Sequence, residues 1–174
     1  MEGVEATEKG SATGPKEAHA EKLYEQFWQA LAAAKVSQAE RVRKDLITWR
    51  RGSAQMVLKI NPMLNNISLY SVLVADVEPS EALFRHLLAY NVLQRRESLG
   101  LVEKDGCIYI VMKYTMELEL VTAEALQRHV YAFQEIADQL DTQLVQQFGG
   151  SLRFEEWTKL DQAGVDTLLD DLFG

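Results

Sequence analysis

Three stretches of the chain return an apolar side chain every three or four positions, and the stretches between them alternate every second position. The first periodicity belongs to helices with one buried side, the second to strands with two unlike faces. Over residues 18–35, Leu23, Phe27, Ala30, Leu31 and Ala34 form a helical stripe that Tyr24 and Trp28 widen. The surrounding Ala, Glu, Gln and Lys favour helix, and Pro15 upstream suits a helix entry rather than an interior. A second helix is expected from residue 81 towards Arg95-Arg96, with Leu83, Phe84, Leu87, Leu88 and Val92 on a single buried face. Glu78-Pro79-Ser80-Glu81 opens it with proline near its first position, and the two arginines suit its C-terminal end. The third helix, residues 123–148, has Thr122 as cap and Gly149-Gly150 as stop. Its stripe is the most regular: Leu126, Val130, Phe133, Ala137, Leu140, Leu144 and Phe148.

Between the first two helices the period drops to two. Residues 46–49 (Leu-Ile-Thr-Trp) read as a strand and residues 50–53 (Arg-Arg-Gly-Ser) as a turn. In the next strand Met56, Leu58 and Ile60 share one face, and Gln55, Val57 and Lys59 the other. Asn61-Pro62 and Asn65-Asn66 bracket a second turn. A strand over residues 67–75 follows, with Ile67, Leu69 and Leu73 facing one way and Tyr70, Val72 and Val74 the other. After the second helix, Asp105-Gly106 lies between two apolar runs, a strong signal for a two-residue hairpin. That turn fixes the register: Leu101 opposite Ile110 and Leu99 opposite Met112 on one face, Val102 opposite Tyr109 beside Val111 on the other.

The order helix, three strands, helix, two strands, helix, with tight turns between consecutive strands, predicts an α+β fold: an antiparallel sheet of about five strands with helices on one face. Residues 18–150 form this domain. Residues 1–17 are Glu-, Gly-, Thr- and Ser-rich and are expected to be disordered, and residues 151–174 form an acidic amphipathic C-terminal segment. The net charge of −8 is concentrated at the ends, −2 in residues 1–17 and −4 in residues 151–174, leaving −2 for the body. That balance disfavours direct contact with nucleic acid or anionic membrane and favours a partner protein with a basic segment. The longest apolar runs are too short to span a bilayer, the N-terminal residues lack the apolar core of a secretory signal, and Cys107 is alone. From these features a cytoplasmic location is expected.

Little of the sequence reads as reaction chemistry. His19, His86 and His129 are far apart in sequence and from Cys107, so there is no local zinc pair. Nucleophile elbow, phosphate loop, dinucleotide fingerprint and zincin motif are all missing. No enzyme, cofactor or metal is expected. Arg41, Arg43, Lys44, Arg50 and Arg51, with Trp49 among them, make a basic stretch whose alternative reading is nucleic-acid or small-ligand binding. Glu40 and Asp45 interrupt it, which favours a solvated helix end and turn.

Two features point to binding instead. Tyr70, Val72, Val102, Tyr109 and Val111 make the sheet apolar on the face away from the helices, where a wetted face would alternate with polar residues. A second copy of the chain would cover it, making this the dimer interface; the other reading is that the C-terminal segment folds back over it. In that segment Trp157, Leu160, Leu168, Leu169, Leu172 and Phe173 recur among acids. They form a partner-binding stripe or a helix docked on its own domain.

The element order, together with LLAYN (residues 87–91), SLGLVEKDGCIYIVMKY (98–114) and LVTAEALQRHVYAFQEIADQL (120–140), resembles the YbjN family and the related type III secretion chaperones over residues 18–148. The resemblance implies a small acidic α+β module, usually dimeric, that binds a segment of another protein and has no catalytic residues to carry over. The expected function is therefore a non-enzymatic, chaperone-like adaptor. Both ends of this chain depart from the family pattern.

Overall fold

The computed structural model describes residues 14–34, 38–94, 96–104 and 106–152. Six strands form one antiparallel sheet in the spatial order β1-β2-β3-β4-β6-β5, with three helices packed on one face. Helix α1 spans Pro15–Ala33 and is followed by β1 (Glu40–Arg43), β2 (Leu46–Arg51), β3 (Ala54–Asn61) and β4 (Asn66–Val74). Helix α2 (Glu81–Leu93) leads into β5 (Glu97–Lys104) and β6 (Cys107–Glu117), and α3 (Ala123–Phe148) closes the domain. A short 3₁₀ turn, Leu118–Leu120, joins β6 to α3.

Local chemistry accounts for these boundaries. Helix α1 starts at Pro15, before the end of the stretch expected to be disordered, because proline is pre-set for a first helical turn and Glu17 answers the positive end of the helix dipole. Residues 1–13 lie outside the described residues. Helix α2 is capped by the Ser80 hydroxyl, which accepts from the Leu83 amide, so Pro79 stands outside the helix rather than at its first position. It ends at Leu93, ahead of Arg96; Arg95 lies outside the described residues. Thr122 caps α3 as expected, its hydroxyl accepting from the Ala125 amide. Asn65 takes a left-handed φ of 52° between β3 and β4, and the Asn61 side chain accepts from the Leu64 amide in the same turn.

The hairpin register expected for β5 and β6 is the one observed: Leu99 opposite Met112, Leu101 opposite Ile110, Val102 opposite Tyr109. Gly106, at φ 78°, sits in the turn; Asp105 lies outside the described residues. Strand β1 adds a sixth strand ahead of the expected first one, giving helix, four strands, helix, two strands, helix. Its Glu-Arg-Val-Arg sequence carries one apolar residue because it is an edge strand with little to bury. A bulge between Val72 and Val74 in β4 shifts the alternation by one residue. Val74 therefore turns into the main core beside Leu73, correcting its expected place with Tyr70 and Val72, and Ala75 takes the outer position.

The core lies between the helices and the inner face of the sheet. Trp49, Met56, Leu58, Ile67, Leu69, Ile110 and Met112 meet Leu23, Phe27, Leu83, Leu126, Val130 and Phe133 there. Phe27 contacts Trp49 edge to face at 5.4 Å. The β2–β3 turn grips α3: Arg51 pairs with Glu135 at 3.1 Å, and the Ser53 hydroxyl donates to the buried Asp141 carboxylate. Gly52 takes a left-handed φ of 56°, which glycine adopts without strain, and the Asp138 carboxylate lies against it.

Candidate partner-binding surfaces

Helix α2 carries two apolar ridges rather than one buried face. Leu83 and Leu87 are buried against the sheet, and the half-buried Tyr90 continues their line. Burial raises the Tyr90 hydroxyl pKa to about 12. Phe84, Leu88 and Val92, expected on the same face, are instead 47%, 66% and 84% exposed, and the neighbouring Leu93 is 78% exposed. One residue further on means about 100° of rotation around the helix, which carries this second ridge off the sheet. Phe84, Leu88 and Val92 stand at i, i+4 and i+8, a continuous apolar line pointing to solvent. Asn91 fixes the helix to the sheet edge: its side chain donates to the Leu99 carbonyl at 2.8 Å and accepts from the Leu99 amide at 2.7 Å.

The outer face of the sheet, away from the helices, holds two smaller clusters. Leu46, Val57 and Tyr70 form one with Val42 packed against it. Ala75, Tyr109 and Val111 form the other, with Val72, Val102 and Cys107 against it. The five residues singled out for a dimer interface thus share one face, as alternation requires. Tyr70, Tyr109 and Val111 are only 5–6% exposed, and Val72 and Val102 are half-buried. Among the described residues, none from α1, α2 or α3 belongs to either cluster. The same alternation places Arg50, Lys59, Lys104 and Lys113 on this face, and the Lys113 ammonium stands 5.3 Å from the centre of the Tyr70 ring.

The chain returns to this face after α3. Ser151 pairs with Ala75 in an antiparallel bridge, the Ala75 amide donating at 3.0 Å and the Ser151 amide at 2.8 Å. Gly150, at φ 85°, passes so close to Ala75 and Val74 that a Cβ would collide with both. Trp157, Leu160, Leu168, Leu169, Leu172 and Phe173 lie outside the described residues.

The basic stretch is dispersed. The Arg41 guanidinium lies 4.7 Å from the centre of the Trp28 ring and pairs with Glu25 at 2.8 Å; hydrogen bonds from Gln29 and then from Arg41 hold the Glu25 carboxyl below its usual range. Arg43 lies 3.6 Å from Asp45, Arg51 turns to Glu135 on α3, and Arg50 faces the other side of the sheet. Arg41, Arg43 and Lys44 line one shallow pocket together with Tyr24 and with Glu21 and Glu25, whose carboxylates offset their charge, while Arg50 and Arg51 lie apart from it.

The histidines are also apart. A His19 ring nitrogen lies 3.2 Å from the Leu118 carbonyl, His86 packs on Phe148, and His129 contacts Tyr114. Burial, with Arg96 and Arg128 nearby, pushes the His129 pKa down. Among the described residues no three His, Cys, Asp or Glu side chains group to hold a metal, and no helix is long and apolar enough to cross a membrane.

A family model described as T3SS (YopN, CesT) and YbjN peptide-binding chaperone 1 matches residues 21–156. The chain belongs to this family. Solved structures agree at the level of fold. The ExsC–ExsE complex matches with a TM-score of 0.59 at 13% identity, over 71% of this chain and 93% of that one. YbjN from E. coli matches at 0.55 and 17%, over 71% and 93%. The HopA1–SchA chaperone–effector complex matches at 0.51 and 12%, over 70% and 94%. Direct comparison with curated protein sequences finds no match. The family description names peptide-binding chaperones, and the α+β fold agrees with membership of that family.

Proposed function

We propose that this family member is a non-enzymatic chaperone that works as a homodimer and holds an apolar segment of a partner protein on the outer face of its sheet. The exposed line Phe84, Leu88 and Val92 carries the dimer: an apolar ridge on a helix is self-complementary across a twofold axis. On the outer face the half-buried Val72 and Val102 leave apolar surface open beside Tyr70, Tyr109 and Val111. These five suit a client surface. The HopA1–SchA chaperone–effector complex, of the same fold, is in keeping with a role in holding a partner segment.

The overall negative charge favours a client with a basic segment at long range, but charges at contact distance decide the fit. Arg50, Lys59, Lys104 and Lys113 favour an apolar segment with acidic side chains on the outer face. Cys107, the single cysteine, fits a reducing cytoplasmic setting.

The test of the dimer is Leu88→Asp, measured by light scattering. The variant should run at monomer mass while the intact chain runs at twice that. Its unfolding free energy should stay within about 0.5 kcal/mol of the starting value at low concentration, as for other exposed positions. Dimer mass retained by Leu88→Asp would refute the α2 interface.

A further inference from the structure

We infer that the cavity between the first turns of α1 and the β3–β4 turn is a docking site for an apolar side chain of a partner protein that has Lys or Arg beside it. The cavity lies on the helical side of the sheet and shares no lining residue with the two outer clusters. It therefore stands whether or not the outer face receives a client.

Three elements build the walls. Glu17, Ala20 and Glu21 come from α1, Lys44 and Asp45 from the β1–β2 turn, and residues 60–63 from the end of β3 and its turn. The Ile60 amide donates to the Asp45 carbonyl at 2.9 Å, which ties the second wall to the third. The cavity measures about 470 Å³, in the range of pockets that hold small ligands, so one or two large side chains fit. Its floor is apolar, with Ala20 and Ile60 buried there, and Pro62 and Met63 form the lip.

That lip departs from ordinary turn chemistry. Tight turns favour Gly, Asn, Asp and Ser, yet this one holds Met63 93% and Leu64 67% exposed. The turn is braced: the Asn61 side chain accepts from the Leu64 amide, and the Asn65 amide donates to the Pro62 carbonyl at 3.2 Å. Two large apolar side chains thus stand in water on a rigid support, where a partner has little backbone to order on binding. Methionine also adapts its shape to different apolar neighbours.

Charge selects the partner. Arg41 pairs with Glu25, Arg43 faces Asp45, and Lys16 turns to Glu119 at 2.9 Å. Among the described residues Glu17 and Glu21 form no ion pair, and Lys44 is the one cation in the lining. Three carboxylates, those of Glu17, Glu21 and Asp45, therefore surround an apolar floor with a single ammonium among them. An apolar side chain beside Lys or Arg satisfies both features, whereas one beside Asp or Glu is repelled. A second copy docking here across a twofold axis would set these acids against themselves.

The test uses the full-length protein labelled at its methionine methyl groups. The probes are short unstructured peptides with a central Leu, Met or Phe flanked by Lys, by Ser or by Glu. Lys-flanked peptides should move the Met63 methyl resonance, identified by its loss in Met63→Ser, and leave those of the buried Met56 and Met112 in place. Binding followed by fluorescence anisotropy should weaken about tenfold in Met63→Ser, and by a similar factor in Glu17→Gln combined with Glu21→Gln. All three positions are exposed, so both variants keep the fold, and unchanged Met56 and Met112 resonances check that. Lys-flanked peptides that leave Met63 unmoved would overturn the site. Equal binding of Glu-flanked peptides, or full affinity in the double Gln variant, would overturn its selectivity for a basic neighbour. A Met63 resonance that shifts with protein concentration alone would assign the cavity to a second copy.

Discussion

At the scale of single residues, Asp141 shows how one carboxylate ties the sheet to a helix. It is fully buried on the inner side of α3, where Ser53 and Thr142 donate to it. Burial outweighs those donors and raises its pKa above the ordinary 3.8. A raised carboxyl pKa means that the folded state holds the proton more tightly than the unfolded chain. The stability this group contributes is then full below pH 3.8 and is lost as pH rises through the folded value. Asp141→Asn keeps the acceptor for Ser53 and removes the buried charge. Its melting temperature near neutral pH should therefore equal or exceed that of the starting protein, and the advantage should vanish towards pH 3. A thermal melt series across pH checks this; a variant less stable at pH 7 would show that the charge itself stabilises the fold. The sequence hid this residue, because its partner Ser53 is 88 positions away and periodicity along α3 reports only its apolar neighbours.

At the scale of elements, α2 separates what patterning can say from what it cannot. Hydrophobic spacing identified the helix, and the Asp105-Gly106 signal gave the β5–β6 register residue for residue. The same spacing merged Leu83 and Leu87, which are buried, with Phe84, Leu88 and Val92, which are not. An apolar side chain reserved for an interface reads like one reserved for the core, since both avoid water for the same reason. The outer-face set of Tyr70, Val72, Val102, Tyr109 and Val111 was legible from alternation, whereas Val74 was misplaced because a bulge adds a residue without any mark in composition. Strand β1 was hidden for the opposite reason: an edge strand of charged residues has no apolar period to detect. Asn91 is one polar residue inside the LLAYN stretch with no pattern to mark it, yet it closes two hydrogen bonds to Leu99 that dock α2 on the edge strand. Asn91→Ala should cost about 1–3 kcal/mol, the usual consequence of stranding buried backbone partners. Amide exchange in β5 should speed up more than in β3, which sits in the middle of the sheet; a uniform change would mean that Asn91 does not specifically hold that edge.

At the scale of the whole molecule, the fold divides its apolar surface three ways: a core under the helices, a ridge on α2 and an outer sheet face. If the ridge joins two copies, folding and association are linked, and the melting temperature of the intact protein should rise with concentration while that of Leu88→Asp stays constant. Calorimetry across a hundredfold concentration range decides it. The rung between Ala75 and Ser151 also has a mechanical meaning. It consists of two hydrogen bonds beyond a pair of glycines, while α3 behind it is held by Leu126, Val130, Phe133 and Leu144. Two hydrogen bonds break more readily than a helix anchored by four buried side chains, so under tension at Ser151 the rung would part before α3 is loaded and the domain would stay folded.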